Sequence, residues 1–170
     1  MRSFRIEPGT RIADIGTGVG YLLSHLVSAV GLRGKVFAED IFPDLLEKAK
    51  ARIRENGWTN VVPILGTEKD PKLPPRSVDL ALVVDTYHHF DYPGEMMAGI
   101  HSALRPGGRL IVADFYRYRP HPFTSAAVMI AHIRADRDEV IREIQDCGFR
   151  LESRFDHFSC EYVLVFRRKP

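Results

Sequence analysis

Apolar runs rich in Val, Ile and Leu alternate along this chain with segments whose apolar residues recur at helical spacing. That order produces a parallel sheet flanked by helices, because each half-apolar helix must bury its stripe against a strand layer. The first strand reads as Arg11 to Ile15, followed by a helix that starts near Val19, carries Leu22, Leu23, Leu26, Val27 and Val30 inward, and stops at Gly31. Strand two is Lys35 to Glu39, and Pro43 opens a helix with Leu45, Leu46, Ala49 and Ile53 on one face, ended by Asn56-Gly57. Strand three is Val61 to Leu65. Strand four, Val78 to Val84, is almost unbrokenly apolar, as befits a strand covered on both faces. Gly94 to Leu104 is helical, Arg109 to Ala113 is strand five, and Asp136 to Cys147 is the last helix. The final runs, Arg150 to Phe158 and Glu161 to Phe166, lie too close for a helical crossover and should pair antiparallel. Tyr116 to Thr124, with two prolines, is expected to be a mobile loop over the active face.

The 170 residues fit one domain, residues 1–170, and no apolar run approaches the length of a bilayer span. Met1 to Pro8 has no secretory or transit character, so a cytoplasmic protein is expected. A net charge of +2 is too mild to imply nucleic-acid binding. Cys147 and Cys160 have no metal-ligand spacing between them.

The chemistry concentrates in two places. Asp14-Ile15-Gly16-Thr17-Gly18-Val19-Gly20 joins the first strand to the first helix, where exposed amides favour a negatively charged ligand group. Its glycines serve a tight turn, close ligand approach and helix packing, and GxGxG is not the GxGxxG spacing of dinucleotide-binding dehydrogenases. Strand two ends at Glu39-Asp40, and Asp40, 20 residues after Gly20, suits the hydroxyls of a ribose. Strand four delivers Asp85-Thr86-Tyr87-His88-His89 to the same edge. There His88 or His89 is a candidate proton acceptor and Tyr87 a candidate pocket wall. A metal site from His88, His89, His121 and Asp114 lacks any helical His spacing or paired-cysteine signature, so no metal is expected.

ADIGTGVG, VFAEDI, VDLALVVDTYHHF and LRPGGRLIVADF, in that order, resemble the class I S-adenosylmethionine (SAM) dependent methyltransferases, and the YHHF stretch resembles their small-molecule-type members. The resemblance covers nearly the whole chain. It implies a Rossmann-like, seven-stranded, mostly parallel sheet with helices on both faces and an antiparallel final strand. It also implies SAM as cofactor, methionine held by the positions of Asp14, Gly16 and Gly18, ribose held by Asp40, and adenine against Ile41. Thr17, Gly20 and Asp85 complete the expected cofactor set. Relatives often carry an aspartate after the glycine that follows strand three. Here Gly66-Thr67-Glu68 stands there, leaving the adenine-reading residue open, with Thr67 and Glu68 at that position. Relatives also usually carry N-terminal cap helices, whereas here strand one begins near residue 11. The acceptor implied is a small molecule, since DTYHHF lacks the prolines with which nucleic-acid amino methyltransferases grip a base. No membrane partner is implied, and a homodimer is compatible with the reading. Competing readings are a non-catalytic SAM-binding module and, less favoured by the glycine spacing, an NAD-dependent oxidoreductase.

Overall fold

The computed structural model describes residues 6–156 and 159–170. Five residues of the expected leaderless N-terminus and two of the expected strand 150–158 therefore lie outside the described residues. Seven strands form one sheet: β1 (Arg11–Ile15), β2 (Lys35–Asp40), β3 (Val61–Leu65), β4 (Val78–Val84), β5 (Leu104–Phe115), β6 (Phe149–Phe155) and β7 (Glu161–Arg168). Their spatial order is β3-β2-β1-β4-β5-β7-β6. The first five run parallel, and β7 lies antiparallel to both β5 and β6.

Alternation along the strands sorts side chains onto two apolar faces. Ile12, Val36, Leu80 and Ile111 join Leu23, Leu26 and Val30 of α1 (Leu23–Val30) and Ala49 of α2 (Pro43–Glu55). Ala13, Ile15, Ala81, Val83 and Val112 meet Met96, Met97 and Ile100 of α3 (Pro93–Ala103) and Val140 and Ile144 of α5 (Arg137–Asp146). The chain winds outward from β1 to β3, then returns to place β4 on the other side of β1. The crevice between β1 and β4 at their carboxyl ends is thus the switch point where α/β sheets bind ligands.

Several boundaries differ from the sequence expectation for local reasons. Helix α1 starts at Leu23 rather than near Val19, because Gly18 and Gly20 both adopt left-handed backbone, at φ 57° and 78°, which no α-helix continues. Strand β5 begins at Leu104, which already pairs with Val78, so the Arg105-Pro106-Gly107-Gly108 turn falls within it and not before it. A short helix, α4 (Ala126–His132), follows the proline-containing stretch, its start capped by the Ser125 side chain accepting from the Val128 amide. Among the described residues no helix is long and apolar enough to cross a membrane.

Candidate functional site

The loop after β1 is bound tightly to the end of β2. The Gly16 amide donates to Glu39 Oε2 at 3.4 Å, the Thr17 amide to the Glu39 carbonyl at 2.8 Å, and the Gly18 amide to Asp40 Oδ2 at 2.7 Å. These three amides are therefore not presented to a ligand, which corrects the expectation that the loop offers free donors to an anionic group: the neighbouring carboxylates and carbonyl claim them. The Thr17 hydroxyl likewise donates inward, to Asp14 Oδ2 at 2.7 Å. Asp40 Oδ1 accepts from the Phe42 amide at 2.9 Å.

The three glycines of the loop differ in what surrounds them. A methyl on Gly16 would overlap the Thr86 side chain, whereas one on Gly18 would meet none of the described residues within 4 Å. Gly18 thus faces open space, as an approach point for ligand should. Gly20 is placed behind the loop, where a methyl would press on Leu23 at 2.8 Å and where its carbonyl accepts from Arg52 of α2.

Acidic side chains crowd this edge of the sheet: Asp14, Glu39, Asp40 and Asp114 are all buried, at the carboxyl ends of β1, β2 and β5. Burial, against a lowering hydrogen bond from Thr17 and reinforced by Asp40, pushes Asp14 up to about 6. Glu39 is pushed up to about 8, by burial first, opposed by the Gly16 amide, and raised further by Asp40, Asp14 and Asp70. Its Oε1 is buried with no hydrogen-bond partner among the described residues, and Gly66 passes so close that any side chain there would overlap it. A positively charged ligand group placed here would favour the ionised forms of these carboxyls and draw their raised values back down.

Two cavities meet at Gly16, Asp85 and Thr86. One, of about 450 Å³, reaches Asp14, Thr17 and Phe115; the other, of about 430 Å³, reaches Gly18, Asp40, Ile41, Glu68 and His89. Both fall within the roughly 300–1,000 Å³ range of small-molecule sites. Thr67 lies outside them in a shallower hollow beside Ile41, where it builds the turn that closes on Asp70.

The segment after β4 divides its side chains. Asp85 takes left-handed backbone at φ 52°, held by its amide donating to the Ala113 carbonyl. Tyr87, His88 and His89 form one 3-10 turn. Tyr87 points into the core and donates its hydroxyl to Glu143 Oε2 at 2.9 Å, while Arg134 grips the same carboxylate. Burial, then Glu143, raises its pKa, and Tyr87 lines neither cavity, so where a pocket wall and catalytic group was expected the side chain is packed in the core. His88 is buried, with Nδ1 2.7 Å from Asp114 Oδ1, and it too lines neither cavity. His89 is exposed and does line one; partial burial, then His88 and His132, lowers its pKa. His121 stays apart, against Phe115 and Phe123. Sequence reading missed His132 and the unpartnered Glu39 oxygen: the first lies 43 residues from His89, and nothing in spacing brings them together.

A family model described as a methyltransferase domain matches residues 6–156, from ahead of β1 to the end of β6. An uncharacterized methyltransferase of Mycobacterium tuberculosis is 36% identical over 100 residues, 59% of this chain and 37% of that protein. The ubiquinone/menaquinone biosynthesis C-methyltransferase UbiE of Laribacter hongkongensis is 29% identical over 110 residues, 65% of this chain and 45% of its own. The chain thus spans less than half the length of these curated relatives. A solved SAM-dependent methyltransferase from Aquifex aeolicus superimposes with a TM-score of 0.88 over 98% of this chain and 86% of that one, at 22% identity, a likeness of fold. With the family match running through the glycine loop, both acidic strand ends and the histidine turn, the chain belongs to the methyltransferase domain family.

Proposed function

We propose that this domain binds SAM across the two joined cavities and directs its methyl group to a small-molecule acceptor, releasing S-adenosylhomocysteine. The observation that carries the reading is the Gly18 backbone, open to ligand on one side and fixed on the other by its 2.7 Å hydrogen bond to Asp40. The residues fit the cofactor. Each Asp40 oxygen already accepts one amide, and a carboxylate offers about four lone-pair sites, so two remain for ribose hydroxyls. Ile41 lies beside them for the adenine face, with Glu68 at its edge. Asp14 and Asp85 supply negative charge toward the cationic aminoacyl end. SAM supplies an activated methyl on a sulfonium, and what remains for the chain is alignment and exclusion of water.

A small acceptor is supported by the cavity volumes, by a net charge of only +2, and by relatives named for quinone biosynthesis. Of the three expected catalytic residues, His89 alone lines the crevice, and we assign it contact with the acceptor. Calorimetry with SAM and S-adenosylhomocysteine, followed by transfer of labelled methyl to a panel of phenols and quinols, tests the reading. Asp40→Ala should weaken SAM binding at least tenfold, since each charge-assisted hydrogen bond lost contributes about 1.5–3 kcal/mol. No binding to the unaltered chain would sink the proposal; binding without transfer to any acceptor would make the domain a non-catalytic SAM-binding module.

A further inference from the structure

We propose that His88, His89 and His132 form a site for a divalent metal ion of the zinc class on the wall of the crevice, with one coordination position left open toward Asp85. The three side chains each offer a ring nitrogen, and these atoms all lie within 4.8 Å of one another. His88 Nε2 and His132 Nε2 are 3.2 Å apart. Two nitrogens bound at about 2.0–2.1 Å to one tetrahedral ion stand about 3.3 Å apart, so this pair is already at coordination spacing. The ring centroids, 4.0, 4.8 and 5.0 Å apart, close a triangle from two elements, the 3-10 turn and the last residue of α4.

Asp114 prepares the central ligand. Its carboxylate accepts from the His88 backbone amide at 3.0 Å and the Phe115 amide at 2.8 Å, and lies 2.7 Å from His88 Nδ1. A carboxylate in that position makes Nδ1 the hydrogen-bearing nitrogen, which turns the Nε2 lone pair of neutral His88 toward His132. Metal-bound histidines are held by this same carboxylate support. Facing lone pairs repel unless one nitrogen carries hydrogen or a cation stands between them, and a cation satisfies all three rings at once.

The ion's class and its open position follow from the neighbours. Three imidazoles without a thiolate suit zinc in the arrangement that keeps a fourth position free. Asp85 lines both cavities and interacts electrostatically with His88, His89 and His132, and His89 itself lines one of the cavities. The free position lies on that side, where it takes water or an anionic oxygen of a bound molecule. Sequence spacing had argued against any metal, but it paired His88 and His89 with His121, not with His132. This site does not depend on the methyl-transfer reading, although a coordinated His89 would contact an acceptor through the ion.

The test uses the untagged full chain, stripped with chelator and titrated with zinc chloride in the absence of SAM. One equivalent should bind. Binding should be lost in His132→Ala, whose exposed position leaves the circular dichroism and melting temperature unchanged, and should weaken about 10- to 100-fold in Asp114→Asn. Cobalt(II) should give the intense visible band of a tetrahedral site, absent in His132→Ala. Equal zinc affinity in the unaltered chain and His132→Ala, no stoichiometric uptake, or only the weak octahedral cobalt spectrum would overturn the proposal. A chain that binds zinc but not SAM would keep this site and lose the function proposed above; the reverse would lose only the site.

Discussion

Glu39 carries its proton far above the ordinary carboxylate range because almost none of it is exposed and one oxygen has no donor. The folded chain then binds that proton more tightly than the unfolded chain, whose glutamate keeps its ordinary value of 4.5. This contribution to stability is present at and below pH 4.5 and is lost as pH rises through about 8. Between pH 6 and pH 9 the melting temperature should therefore fall, with about 2 kcal/mol corresponding to roughly 4–8 °C at this chain length. Glu39→Gln, which keeps the shape without the charge, should flatten that fall, and a slope equal to the unaltered chain's would contradict it. Gly18 belongs to the same scale. Gly18→Ala forces a side chain into left-handed backbone at a cost of about 1–2 kcal/mol, but the methyl meets no protein atom. The variant should fold, melt a few degrees lower and bind SAM far more weakly, as calorimetry would show.

At the scale of elements, the 3-10 turn after β4 is anchored from α5. Tyr87→Phe removes a hydroxyl donating to the Glu143 carboxylate and should lower stability by about 1.5–3 kcal/mol in urea unfolding. Its SAM affinity should not change, since Tyr87 touches neither cavity. The sequence could not tell Tyr87 from His89, because both stand in one run and a single turn sends one to the core and the other to the crevice. The strands were readable by contrast: β1, β3 and β4 have the bounds their apolar runs announce, for β1 and β4 because burial on both faces leaves little room for polar residues, and for the edge strand β3 because its run VVPIL is apolar throughout although only Val61 is fully buried. Helix α4 escaped notice because its seven residues bury only Met129, too little to write a stripe. With it escaped His132, the one member of the histidine cluster supplied from a distance. The glycine loop was legible as a loop, but the direction of its amides depends on β2 side chains meeting it, which is a tertiary fact.

For the whole molecule, β1 and β4 are paired on both sides and lie beneath both apolar clusters, so their amides should exchange hydrogen most slowly, and those of the short α4 much faster. Mass-spectrometric exchange checks this, and rapid exchange in β1 would contradict the layering. The alternation of strand and helix signals made the parallel layers legible and the family resemblance added the count of seven strands, whereas the outward-then-return order came only with the structure, since periodicity does not say which strand neighbours which. The two flanks of the sheet have a consequence of their own. On β3, Asn60 and Gly66 direct their backbone to β2, so by alternation Pro63 directs its own outward, where it has no hydrogen to offer. On β6, Arg150, Glu152 and Arg154 stand exposed in alternation with half-buried residues, with Glu152 tied back to Arg167. A missing donor on one margin and a fence of charge on the other turn away any stray segment seeking to extend the ribbon. Edge-to-edge pairing between copies of this chain is thereby disfavoured at both margins, and with it fibrillar growth from the sheet.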